Sequence, residues 1–320
     1  MSHTAVVIGL GQIGMGYDLF LQPERYVLTH SRAFAEHPAF SLIGGVDPSP
    51  ARRADFERIY EQPSFCDPVA AVQALRPDVL AVAVPTEHHL SVLTSTLAVH
   101  KPRLVLCEKP LAYNLKDSHQ ILTACVEADC KLFINYLRRS DPGCQEVLRR
   151  IKTGDIRLPI KGIAWYSKGL FHNGSHFLDL LQFWLGKIQN FQVTHSGRSF
   201  GSNDIEPDVS ISFSGGIVHF VATNEENFSH YTVELVAPNG RLRYERGGEK
   251  IVWQSAHPSP VGDYSILGED EEFIPSDFDR IQWNVVDQLA LALSGSPTSL
   301  CTGNEAFRTV EHLAAIKDSL

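Results

Sequence analysis

The run Gly9-Leu10-Gly11-Gln12-Ile13-Gly14 directly follows an apolar stretch, residues 5–9, and precedes a plausible helix. Few local features constrain a chain more. Glycines at this spacing let a buried strand end in a tight turn, bring the following helix close to that strand, and let backbone N–H groups approach a pyrophosphate. The context is that of a first βαβ unit. Further continuous apolar runs rich in Val, Ile and Leu at 41–46, 79–84, 103–107 and 131–135 read as strands buried on both faces. Helical apolar spacing fills 86–99 and 116–128, and Asp67-Pro68 reads as a helix cap followed by Pro at the first helical position.

Beyond about residue 155 the pattern changes. Runs at 160–167, 191–195, 209–213, 217–222, 232–236 and 241–244 resemble antiparallel strands, and Ser214-Gly215-Gly216 and Pro238-Asn239-Gly240 supply hairpin chemistry between them. A helix over 173–185 interrupts this sheet and another over 304–320 closes the chain. The fold class expected is therefore α/β: a doubly wound parallel sheet, Rossmann type, over 1–128, then an α+β domain with a mostly antiparallel open sheet over 129–320. A length of 320 residues suits two domains better than one.

Composition narrows the partners. Hydrophobic residues make up 43% and charged residues 20%, as in an ordinary globular protein. A formal net charge of -9, with no long run of Lys or Arg, argues against nucleic acid and for a small-molecule partner. Cysteines at 66, 107, 125, 130, 144 and 301 show no CxxC spacing and read as reduced thiols. With no secretory leader pattern and no apolar run long enough for a bilayer, the expected location is the cytoplasm, away from membranes.

The second strand ends in Val46-Asp47-Pro48, and a carboxylate there suits the adenine ribose of a dinucleotide. Asp47 lies 36 residues past Gly11 against the usual roughly 20, which implies an insertion around 17–30. The acid repels a 2′-phosphate and favours NAD over NADP, while nearby Arg52 and Arg53 pull the other way; a strand-ending Asp that merely caps the next helix is the plain alternative. Ligands of open α/β sheets bind outside the carboxyl ends of the strands, where this chain places Pro85, Thr86 and His89, then Glu108 and Lys109. Together with Gly9, Gly11, Gln12, Ile13, Gly14 and Asp47 these form the expected cofactor set. Lys109 is also positioned to hold a substrate hydroxyl or polarise a carbonyl; its bland role is a solvated partner of Glu108.

In the second domain, Lys168, His172, Asn173, His176 and Asp179 crowd into one short segment. If Asn173 caps a helix, His176 and Asp179 stand three residues apart on it. A His with a pKa near the working pH can take a hydroxyl proton while hydride leaves carbon. The rival readings are a divalent-metal site of His172, His176 and Asp179, and a purely structural cluster. No metal is expected.

The combination resembles the glucose-fructose oxidoreductase, inositol dehydrogenase and MocA (Gfo/Idh/MocA) family over nearly the whole chain. The resemblance rests on Gly9, Gly11 and Gly14, on Pro85-Thr86 with His89, on Glu108-Lys109-Pro110, on 135–139 (Asn-Tyr-Leu-Arg-Arg), and on His176-Phe177-Leu178-Asp179. It implies that Lys109 and His176 act at the substrate, and that NAD or NADP chemistry runs on a secondary hydroxyl of a sugar, polyol, amino sugar or sugar nucleotide. Where the family carries an Asp four residues before that His, this chain has His172, so Lys168, His172 or Asn173 takes that part. Arg138, Arg139 and Lys168 are candidates for a polar or anionic group of the substrate. The open sheet of the second domain implies a homodimer or homotetramer. Two other readings remain: a non-catalytic dinucleotide-binding sensor of the same fold, and an enzyme whose tightly bound NAD is recycled within one catalytic cycle.

Overall fold

A computed structural model describes residues 2–320. It contains two compact units, one of residues up to Ser140 with Asp279–Glu311, the other of Asp141–Phe278 with His312–Leu320. The first unit begins β1 His3–Ile8, α1 His30–Glu36, β2 Phe40–Val46, α2 Pro50–Tyr60, β3 Ser64–Phe65 and α3 Pro68–Leu75. It continues with β4 Val79–Val82, α4 His89–Leu97, β5 Leu104–Cys107, α5 Leu115–Glu127 and β6 Lys131–Ile134. The second unit follows with α6 Pro142–Thr153, β7 Ile160–Tyr166, α7 Ser175–Leu185, β8 Ile188–Phe200, β9 Asp204–Phe213 and β10 Gly216–Ala222. Then come β11 Thr232–Ala237, β12 Gly240–Glu245, β13 Lys250–Pro258, β14 Ser265–Leu267 and β15 Glu272–Ile274. The chain ends with α8 Ile281–Ser294, β16 Cys301–Thr302 and α9 Gly303–Asp318.

The first sheet has the order β16-β6-β5-β4-β1-β2-β3, parallel except for β16 on its edge. Alternation along each strand divides its apolar side chains between two faces. Val6, Ile8, Leu80, Val82, Val105 and Ile134 pack with Val72, Leu93, Ile121 and Val310 on one side. Ala5, Val7, Ala81, Leu104, Leu106 and Phe133 pack with Phe34, Phe56, Val285, Val286 and Leu289 on the other. Full burial of each Leu or Val contributes about 1.5–3 kcal/mol, so the continuous apolar runs are what both covered faces require. The Asp67 carboxylate accepts from Val69 and Ala70 N–H with Pro68 opening α3, as its dipeptide implied.

The expected boundary at 128/129 is corrected. β6 pairs in register with β5, so the first unit runs on to Ser140. α8 then returns Val285, Val286 and Leu289 to the core beside Phe34, and Cys301 pairs with Ile134, so Asp279–Glu311 belongs here too. A domain boundary read along the chain cannot see a segment that comes back.

The second unit is built on a sheet ordered β14-β13-β12-β11-β7-β10-β9-β8, with β15 paired to β13. All pairings are antiparallel except β7 with β10. Alternating burial along β9 and β11 shows one face on the core and the other open, as in a half-covered sheet. Trp184 of α7 and Tyr244 of β12 lie edge to face, 5.8 Å between ring centroids, and Trp184 donates to the Cys144 carbonyl. No helix of the described residues is long and apolar enough to cross a membrane.

Candidate active site

The parallel registers place the strand ends level. Ile8 pairs with both Val46 and Val82, Val82 with Cys107, and Cys107 with Ile134. The residues that follow these strands, Gly9, Asp47, Ala83, Glu108 and Asn135, therefore line one carboxyl edge. The order of β strands reverses about β1, which makes this edge the crevice where open α/β sheets bind ligands.

At that edge Gly9 has φ +99° and donates to the Val46 carbonyl at 2.8 Å. A Cβ on Gly9 would stand 2.6 Å from the Ala83 carbonyl oxygen, and one on Gly14 would collide with the Gly9 carbonyl oxygen. Glycine is required at both. The first hydrogen bond of the turn runs from Met15 N–H to Gly11 O at 2.9 Å, so the N–H groups of Gln12, Ile13 and Gly14 precede it and remain for an anion. Gln12 is exposed and Ile13 half-buried. Instead of a long helix, a five-residue π turn, Gln12–Gly16, leads into an irregular stretch that ends where Thr29 caps α1. Buried Asp18 fastens that stretch, accepting from Leu28 N–H, Thr29 N–H and the Thr29 hydroxyl at 2.7, 3.0 and 2.8 Å. The insertion inferred from spacing is this stretch; Asp18 itself carried no sequence signal beyond being an acid in it.

Asp47 is 3% exposed and already engaged. Its Oδ2 accepts from Leu10 N–H at 2.9 Å and lies 3.4 Å from Arg52 Nη1, while Oδ1 accepts from Ser49 N–H at 2.8 Å. It thus braces the glycine turn, and the cap of α2 is Ser49 rather than Asp47. Arg53 donates to the Asp47 carbonyl at 2.8 Å.

At the end of β5 the Glu108 carboxylate turns inward. Its Oε1 accepts from Asn135 Nδ2 at 2.7 Å and meets His30 Nε2 at 2.8 Å, and its Oε2 accepts from Lys109 N–H at 3.3 Å. Burial pushes this carboxyl up, but the His30 hydrogen bond and charge, Asn135 and the Lys109 charge outweigh it and hold the group below its ordinary value. Lys109 is half-buried beside it. His89 is fully enclosed, with Nδ1 3.1 Å from the Leu111 carbonyl and Nε2 3.1 Å from the Val84 carbonyl. Burial lowers its pKa against the pull of those carbonyls. The Glu108 and His89 side chains thus tie strand-end loops together, and Pro85 and Thr86 keep the more accessible places on this edge. Arg138 is buried, and Arg139, also buried, pairs with Glu305 at 2.8 Å.

In the second unit the segment 168–179 is held by acids distant in sequence. Lys168, half-buried, has φ +60° and precedes a π turn, Gly169–Gly174. Asp204 accepts from Phe171 N–H at 2.9 Å and His172 N–H at 2.8 Å, and Glu206 accepts from Gly169 N–H at 3.1 Å. Burial raises the Asp204 pKa, with those N–H groups opposing. Asn173, which the sequence offered as a cap of α7, does not take that place: its Nδ2 donates to Ser167 O at 3.1 Å and Tyr231 Oη at 2.7 Å, and Gly174 stands at the cap. His172 is exposed, whereas His176 and Asp179 are buried in α7 at 9% and 1% exposure. Asp204, Glu206 and Tyr231 escaped the sequence reading because nothing local links them to this segment. Among the described residues no group of three or more His, Cys, Asp or Glu is arranged to hold a metal ion.

Residues 4–136 match the model of the GFO_IDH_MocA oxidoreductase family, NAD-binding Rossmann fold. Over these residues the chain is similar to the NAD-binding domain of that family. Relatives extend beyond that domain. An oxidoreductase subunit assigned to UDP-kanosamine synthesis in Amycolatopsis mediterranei is 31% identical over 60% of this chain and 54% of its own length. The 2,7-anhydro-N-acetylneuraminate hydratase of Escherichia coli is 26% identical over 46% of this chain and 45% of its own. The chain thus spans about half the length of the curated relatives it matches. Among solved structures, the WlbA dehydrogenase of Bordetella pertussis, in complex with NADH and UDP-GlcNAcA, covers 100% of this chain and 96% of its own at 18% identity with a TM-score of 0.76, which shows a shared fold. The glycine turn fits a dinucleotide, since the approach kept open at Gly9 and Gly14 is the one a pyrophosphate needs.

Proposed function

We propose that this protein is an NAD-dependent oxidoreductase acting at a secondary carbinol or ketone carbon of a sugar, polyol, amino sugar or sugar nucleotide. The observation that carries the reading is the level carboxyl edge that sets Lys109 on the same rim as the Gly9–Gly14 turn. NAD, when bound, supplies the acceptor for hydrogen and its electron pair, and the protein supplies orientation and electrostatics. Gln12, Ile13 and Gly14 N–H groups hold the pyrophosphate. Lys109 holds the substrate hydroxyl and stabilises the developing alkoxide. His176 takes the hydroxyl proton as the carbonyl forms and returns it in reduction, so one O–H and one C–H bond break for each carbonyl made. Lys168, Asn173 and Asp179 orient the substrate.

Turnover should fall by at least about 10³-fold in Lys109→Ala, roughly 4 kcal/mol of transition-state stabilisation, with NAD affinity changed less than about threefold. A screen of sugars and polyols with spectrophotometric NADH readout checks this, and unchanged turnover in the variant would remove Lys109 from its role.

A second reading is favoured by the relative named a hydratase, because hydration involves no net redox change. In that case NAD is held tightly and recycled within one cycle. Nucleotide released on denaturing the purified protein, with substrate consumed and no NADH accumulating, distinguishes it from a simple dehydrogenase.

A further inference from the structure

Tyr231 stands just before β11, far in sequence from the segment that carries His172 and His176, yet its hydroxyl meets that segment at Asn173. We infer that Tyr231 is a specificity-determining residue which, with Asn173, reads two neighbouring hydroxyls of the substrate, so that the substrate class is a compound with a vicinal diol. The inference deepens the proposed function and rests on its placement of Asn173 at the substrate.

The directions of the hydrogen bonds follow from which groups can donate. The Ser167 carbonyl only accepts, so the Asn173 atom that faces it at 3.1 Å is the amide nitrogen. That nitrogen has one further hydrogen, and it goes to Tyr231 Oη at 2.7 Å. The phenol is therefore the acceptor of this pair, and its own hydrogen is directed elsewhere. Among the described residues no group takes that hydrogen, and none donates to Asn173 Oδ1. One donor and one acceptor thus stand unused on two joined residues, both half-buried.

The pair is held in place without a ligand. The Tyr231 ring lies tilted by 30° to that of Phe177 with centroids 5.6 Å apart, and the Tyr231 carbonyl accepts from Gly247 N–H at 3.2 Å. Ser167, fully buried, accepts from His230 N–H through its hydroxyl at 3.2 Å, which ties the residue before Tyr231 to the residue before Lys168. Side chains fixed in this way lose little freedom when a ligand arrives.

A hydroxyl both donates and accepts, and two on adjacent carbons can offer an acceptor to Tyr231 and a donor to Asn173 Oδ1. A carboxylate or phosphate group would satisfy Tyr231 but set a negative oxygen against Oδ1, acceptor against acceptor. A ligand that lacks one of the two hydroxyls leaves a half-buried polar atom unpaired, which is the loss that sites built to hydrogen-bond a hydroxyl use for discrimination. Asn173 precedes His176 by about one helical turn, so the diol is read close to the carbon that reacts.

Calorimetric titration of the full chain in excess NADH, with which a hydroxyl does not react, measures sugar binding apart from turnover. The probes are D-glucose, D-galactose and their UDP conjugates, each beside its monodeoxy analogues. For the parent that binds most tightly, Tyr231→Phe should weaken binding about tenfold. Removal of one particular hydroxyl should weaken binding to the wild type about tenfold and change binding to Tyr231→Phe by less than about twofold. The adjacent hydroxyl should behave in the same way toward Asn173→Ala. Loosening of the segment by the loss of the Asn173 partner would weaken parent and analogue alike, so the comparison within one variant separates contact from support. Equal losses for every analogue in wild type and variant overturn the inference, as does a parent that binds Tyr231→Phe at wild-type strength or the failure of every probe to bind. The expected pattern of binding with no NADH formed from NAD counts against the proposed function alone.

Discussion

The two units hold their functional segments in opposite ways. At the carboxyl edge of the first sheet, side chains of the motif itself turn inward and fasten one another: Asp47 to the glycine turn, Glu108 to His30 and Asn135, His89 to two carbonyls. In the second unit, the backbone N–H groups of the crowded segment are held by acids more than 30 residues away, Asp204 and Glu206. A parallel sheet ends its strands level, so short motifs meet across neighbouring strands; a loop in front of an antiparallel sheet must be held by whichever strand lies beneath it. The first arrangement fixes side chains, the second fixes a main-chain path.

The largest effect that tests this contrast is expected at Gly14. A methyl group there meets the Gly9 carbonyl, so Gly14→Ala should weaken NAD binding by at least about 100-fold, roughly 2.7 kcal/mol, with amide exchange in the second unit unchanged. Titration calorimetry with exchange mass spectrometry reads both. Wild-type affinity in Gly14→Ala would mean that the turn has slack the contrast denies.

Next comes Asp204→Ala. Removing the acceptor of Phe171 and His172 N–H groups should cost about 1–3 kcal/mol, seen as faster exchange over 169–174, while NAD affinity stays within about twofold. Unaltered exchange there would show that the segment is held by something other than β9.

The smallest effect is a divergence with pH. Glu108 sits below its ordinary value of 4.5 when folded, so its contribution to stability is present above that value and is lost as pH falls through the folded pKa. Asp204 is raised above 3.8, so the folded unit binds its proton more readily, and stability there rises as pH falls through the raised value toward 3.8. Acidification from pH 7 to 4 should therefore lower exchange protection at the strand ends around Glu108 before it does so over 169–174. Equal loss in both places would erase the electrostatic half of the comparison.

These differences also decide what was legible. The glycine turn, the buried parallel strands and the cap at Asp67 each need a particular residue within a few positions, so sequence shows them. The hairpins at 214–216 and 238–240 are legible for the same reason. Asp204, Glu206, His30 and Asp18 act across distances that no periodicity marks, and α8 rejoins the first core from beyond residue 278. Asn173 read as a cap because Asn suits that place, but its amide has Ser167 and Tyr231 to bond instead. Asp47 was legible as a strand-end acid, and its service to the Leu10 N–H was not.

Every role proposed for this protein depends on NAD binding at the Gly9–Gly14 turn and its level edge. Calorimetric titration of the purified protein with NAD, NADH, NADP and NADPH, after release of any nucleotide carried through purification, tests it most directly. NAD or NADH should bind more tightly than the phosphorylated forms, and that binding should be lost in Gly14→Ala. Failure of every dinucleotide to bind, with none carried over, would contradict it.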